Sequence, residues 1–99
     1  MTTKARPGKI TTIEAAVQVL GGPGEIRQFL IAMLSEQEFE QLGKRWRAYQ
    51  LRRQGYTLKE VKELTPIAMG TATRVSRLCN GPERAILDTM LRRVAEQKS

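Results

Sequence analysis

The stretch TLKEVKELTPIAMGTATRVSRLC, residues 57–79, admits few folds. Thr57 carries the side-chain oxygen that an N-cap needs. Glu60, three residues on, can reach back to the Thr57 amide and close a capping box. Tyr56 and Val61 flank the box at the spacing of a hydrophobic staple. The first helix must stop near Leu64, because Pro66 disfavours helical geometry at Thr65 and has no N–H to donate. A second helix then starts around Ala68 and runs to Cys79. Its opening residues are slim: Ala68, Gly70, Thr71, Ala72 and Thr73. Arg74 and Arg77 follow one turn apart. Two helices joined by so short a break, the second slim in front and basic on its flank, suit a helix-turn-helix that enters the DNA major groove.

The rest of the chain reads as scaffold for that unit. Residues 1–10 hold Lys4, Arg6 and Lys9 without an acid, and predict a flexible basic arm that either touches phosphates or frays. Thr11 and Glu14 predict a capping box with Ile10 as staple, ahead of the helical set Ile13, Ala16, Val17 and Leu20. Gly21-Gly22 stops that helix, and Pro23 suits the first turn of the next. There Ile26, Phe29, Leu30 and Met33 make one apolar stripe, for a core or a dimer interface.

Ser35 predicts the start of a long helix, with Glu38 closing a box and Leu34 placed to staple onto Phe39. Phe39, Leu42, Trp46 and Tyr49 line one face of it. Its glutamates come first and its arginines last, as the helix dipole prefers. Gly55 ends it. Arg47, Arg52 and Arg53 fit either a phosphate-binding face or a solvated one. After Cys79, Asn80-Gly81-Pro82 breaks the chain, and Pro82 leads into a helix with Ile86, Leu87, Met90, Leu91 and Val94 on one stripe and Arg92, Arg93 and Lys98 near its end. No strand-like alternation occurs, so the expected fold is all-α with six helices, a single domain over residues 11–97.

The totals limit the partners. A net charge of +7 and a pI near 10.2 point to a polyanion, either nucleic acid or an acidic membrane surface. With one cysteine and no histidine, the chain can form no internal disulfide and no Cys/His zinc site, and no metal site is expected. Cys79 reads as a small core residue. No apolar run is long enough to span a bilayer, so no membrane partner and a cytoplasmic location are expected. No nucleophile–base pair is apparent, and Gly21-Gly22-Pro23-Gly24 lacks the preceding strand and the spacing of a phosphate loop. The expectation is a binding protein and not an enzyme.

These residues also carry a resemblance. Met33-Leu34-Ser35, Leu42-Gly43-x-Arg45, Gly55 and Thr71-Ala72-Thr73-Arg74 follow the order, and nearly the spacing, of the Trp repressor family. The likeness covers about residues 11–95 and is most specific over 33–79. It is similar above all to the YerC/YecD type subgroup, in the Gly-aromatic-Thr linker at Gly55-Tyr56-Thr57 and in Arg74-Val75-Ser76-Arg77 followed by Cys79 and Asn80. The resemblance implies an intertwined all-helical homodimer that binds double-stranded operator DNA as a repressor-like transcriptional regulator.

Carried over by position, it assigns Lys59 to base contact and Lys62 to the phosphates. It sets Met69, Gly70, Thr71 and Thr73 at the groove-facing helix start. Thr57, Ala68 and Arg77 complete the expected DNA-binding set. The family's effector pocket corresponds to Ser35, Arg45, Arg74 and the residue after it. Tryptophan-responsive members have a glycine there, and this chain has Val75. A β-branched side chain fills space an indole needs, and overpacking costs about 1–3 kcal/mol. The expectation is a regulator that does not depend on L-tryptophan, with no cofactor and with any small-molecule effector unidentified. The alternatives are a tryptophan-responsive repressor, a non-specific architectural nucleic-acid binder, and a helical module for an acidic protein.

Overall fold

A computed structural model describes residues 7–97. Lys4 and Arg6 of the expected basic arm, and Lys98, lie outside those residues; Pro7–Ile10 are exposed and not helical. Six helices follow: α1 (Ile13–Gln18), α2 (Pro23–Met33), α3 (Glu36–Arg53), α4 (Leu58–Leu64), α5 (Met69–Asn80) and α6 (Arg84–Gln97). There is no strand among the described residues, and none of these helices is long and apolar enough to cross a membrane. The chain divides into two compact units between Glu36 and Gln37.

In the first unit, the cap of α1 is Thr12 and not Thr11. The Thr12 hydroxyl accepts a hydrogen bond from the Ala15 N–H at 3.2 Å. Adjacent threonines offer the same hydroxyl in adjacent registers, and the later one caps. Glu14 thereby falls at the second helical position, out of register for a capping box. Gly22 precedes α2 at φ +130°, a left-handed value that favours glycine, and Pro23 opens the helix. Neither α1 nor α2 holds a buried residue. Ile13, Val17, Ile26, Ile31 and Met33 are all exposed.

The second unit is organised by local signals that the structure realises. Gly55, at φ +101°, terminates α3. The Tyr56 N–H donates to the Leu51 carbonyl and the Gly55 N–H to the Arg52 carbonyl, both at 3.1 Å, which is a Schellman closure. At α4 the capping box is complete. Thr57 Oγ1 accepts from the Glu60 N–H at 3.2 Å, and Glu60 Oε1 accepts from the Thr57 N–H at 2.8 Å. Hydrogen bonding from Thr57, its backbone N–H foremost and its side chain second, holds the Glu60 carboxyl below its usual range. Thr65 ends α4 in extended geometry, as Pro66 requires. The last helix begins at Arg84, two residues beyond Pro82, because the Arg84 N–H first closes a turn onto the Gly81 carbonyl. A Cβ at Gly81 would sit 2.9 Å from the Arg77 carbonyl oxygen, so only glycine fits that corner.

The core of this unit is Ala48, Tyr49, Val61, Val75 and Cys79, with Trp46, Leu51, Ile67, Leu78, Leu87 and Leu91 packed around it. Trp46 stacks on Tyr49 with ring centroids 5.9 Å apart. Cys79 is the small buried residue the sequence suggests. Of the expected α3 face, Leu42 stays exposed.

One carboxylate ties α6 to α3. Asp88 Oδ1 accepts from the Tyr49 hydroxyl at 2.8 Å and from Arg53 Nε at 3.0 Å. Its Oδ2 accepts from Arg53 Nη2 at 3.0 Å and from Arg84 Nε at 3.3 Å. Arg53 first, then Tyr49, hold the Asp88 carboxyl below its ordinary range. Burial, aided by Asp88, pushes the Tyr49 phenol up to about 12. A carboxylate whose folded pKa is depressed contributes stability above its unfolded pKa and loses it as pH falls through the folded value. Urea unfolding of the wild type should therefore show stability declining as pH falls below the ordinary aspartate range. In the Asp88→Asn variant that acid-side decline should be smaller, and an unchanged decline would remove Asp88 as the α3–α6 tie.

Candidate nucleic-acid interface

α5 has two faces because it buries one stripe. Ala72, Val75 and Cys79, at i, i+3 and i+7, are buried against the core. By helical geometry the opposite stripe is Gly70, Thr73, Arg74 and Arg77, and all four are exposed. Thr71 lies half-buried on the flank, while Met69 projects at 66% exposure. The bulk the stripe presents near its start is small. Beyond its chain neighbours and its own helix backbone, no atom lies within 4 Å of where a Cβ would stand on Gly70, so that glycine serves no packing need and leaves the backbone open to close approach. Ala68 is the N-cap and supplies no capping side chain, so the first-turn amides of α5 have no side-chain cap.

α4 adds Lys59 and Lys62, both exposed and one turn apart. Thr57 is exposed too, but its hydroxyl is engaged in the capping box with Glu60. Lys59, Lys62, Arg74 and Arg77 make no hydrogen bond or ion pair among the described residues. The arginines of α3 differ. Arg47 Nε donates to Thr65 Oγ1 at 2.8 Å, Arg52 Nη1 to the Tyr56 carbonyl at 3.0 Å, and Arg53 pairs with Asp88. Those three serve the fold, which neither sequence-level reading of them anticipated. The exposed cations of the two helix-turn-helix helices, by contrast, are unpartnered among the described residues, as are Lys44 of α3 and Arg93 of α6. Cations without internal partners are available to phosphates at no cost in broken ion pairs.

The residues expected in an effector pocket are placed differently from one another. Val75 is fully buried and belongs to the core, in contact with the hydrophobic cluster around Tyr49. Arg45 is half-buried, and its Nε has no hydrogen-bond partner. Arg74 is exposed on a cleft of about 490 Å³, shared with Arg77, Leu78, Asn80, Gly81, Pro82 and Glu83. Ser35 is the last residue before α3, in the first unit.

A family model described as Trp repressor protein matches residues 9–94, which spans both units. The chain belongs to the Trp repressor family. That membership agrees with the six-helix, strand-free fold and makes a DNA-binding regulator the coarse functional assignment. Members are regulators and not enzymes. Neither the comparison with curated proteins nor the one with solved structures finds a match.

The sequence gives no sign of the bond between Arg47 and Thr65, which are 18 residues apart and joined by no spacing rule. Among the α4 residues, Lys59 is the clearest test. Lys59→Ala should weaken binding to a specific duplex by about 1–3 kcal/mol with an unchanged helical circular dichroism spectrum. Equal affinity of variant and wild type would move α4 away from the DNA.

Proposed function

We propose that this protein is a homodimeric, sequence-specific DNA-binding transcriptional regulator whose binding does not require tryptophan. The observation that carries the reading is the outward stripe of α5: slim at Gly70, polar at Thr73 and cationic at Arg74 and Arg77, with no internal partner for either arginine among the described residues. Affinity comes from Lys59, Lys62 and the arginines at phosphates, which also set the register. Thr71 and Thr73 read base edges, and the methyls of Ala68 and the threonines touch thymine.

Dimerisation is supported by what the chain leaves uncovered. α1, α2 and α6 hold no buried residue, yet carry Ile13, Val17, Ile26, Ile31, Ile86, Met90 and Val94 exposed. A second copy that interleaves its helices covers this apolar surface, which a chain of this size cannot bury alone. Two recognition helices then meet half-sites roughly 34–36 Å apart, one DNA turn. Such a regulator acts in the cytoplasm, on chromosomal DNA.

Independence from tryptophan is supported by Val75. Its side chain is already packed in the core with Tyr49, Val61 and Cys79, so a ring entering beside it must displace filled volume. The test is selection of random-sequence duplexes on the purified protein, with and without L-tryptophan, at fixed near-physiological salt. The expected result is one enriched palindrome in both samples. Enrichment with tryptophan alone would restore a corepressor, and no enrichment in either would favour a non-specific nucleic-acid binder.

A further inference from the structure

We infer that Arg47 is a positioning residue for DNA binding: through Thr65 it holds the turn between α4 and α5, so that α5 is presented to DNA without help from a bound ligand. The inference rests on the regulator reading above. Thr65 is 3% exposed, and it is the polar residue buried in the core region of this unit. Both of its hydrogen-bonding groups on the α4 side are used. Its N–H donates to the Val61 carbonyl at 2.7 Å, and its hydroxyl accepts Arg47 Nε at 2.8 Å.

Residues 65–68 are the whole connection between the two helices. Pro66 fixes one φ there and offers no N–H. Ile67 packs on the core from the far side of Pro66. Among the described residues, the Arg47–Thr65 bond is the one side-chain hydrogen bond that reaches this connection. It springs from the middle of α3, which is itself anchored by buried Ala48 and Tyr49 next to Arg47. The latch therefore runs from a core-anchored helix of the unit to the joint on which the angle between α4 and α5 depends. Arg47 is exposed on its solvent side, so its charge stays hydrated while one N–H is spent on the turn.

The two ends of the bond are not equivalent. Thr65→Val removes the hydroxyl at constant shape and leaves Arg47 to water. Arg47→Ala strands a buried hydroxyl without a partner and is the more disruptive change. Both should weaken binding to the selected duplex by about five- to tenfold or more. Because they delete one bond, the double variant should bind no worse than Arg47→Ala alone. Thr65→Ser keeps the acceptor and should bind nearly as wild type.

The experiment measures duplex affinity of these four variants at several salt concentrations, together with amide hydrogen exchange of the DNA-free protein. The expected result is lower affinity at unchanged salt dependence, with faster exchange at Thr65 and Ala72 and unchanged exchange in α6. A salt slope lowered by about 0.9 in Arg47→Ala would mean that Arg47 touches a phosphate instead, and would overturn the inference. So would additive losses in the double variant, or unchanged exchange. If the wild type selects no sequence, the regulator reading fails, and the exchange comparison alone decides whether Arg47 holds the turn.

Discussion

The burial of a single stripe on α5 is the constraint on which the rest of the unit depends. Ala72, Val75 and Cys79 are spaced so that one helix face is consumed by the core. Tyr49 of α3 and Val61 of α4 are the fully buried partners in that core. Once that stripe is inward, Gly70, Thr73, Arg74 and Arg77 have no direction left but solvent. The candidate interface is thus a by-product of packing: what cannot be buried is what faces solvent. A substitution that enlarged the buried stripe would rotate or lift α5 and misplace every outward residue at once.

The cations divide along the same line. Arg53 and Arg84 converge on Asp88, and Arg47 and Arg52 donate to oxygens of the two interhelical connections that flank α4. These bonds fix α3 against α6 and close the ends of α4. Lys59, Lys62, Arg74 and Arg77 carry equal charge but no internal partner among the described residues. A net charge of +7 therefore overstates the surface available to phosphates in some places and locates it in others. The distinction is geometric: the engaged arginines sit beside acceptors of the fold, and the cations of α4 and α5 sit on exposed helix faces without one.

What the sequence made legible is what is local. The Thr57–Glu60 box, the Gly55 terminus and the stop at Thr65 each depend on residues within one turn, and all three stand where their spacing puts them. The shift from Thr11 to Thr12 shows the limit of that reading, since neighbouring hydroxyls are equivalent caps until the helix chooses its register. Asp88 was not legible as a hub. Its partners Tyr49 and Arg53 lie 39 and 35 residues away, a separation only the packed fold closes. The same holds for Arg47 and Thr65. The role of Arg47 in the scaffold could not be told from a solvated charge, because an arginine on a helix face carries no sign of what faces it across the fold.

The claim that the outward stripe of α5 meets the DNA is tested most directly by following backbone amide resonances of the labelled protein as a selected duplex is added. The largest shifts are expected along Met69–Arg77 and at Lys59 and Lys62, with small ones along α6. Shifts concentrated on α6 or on the middle of α3, with α5 unmoved, would contradict it.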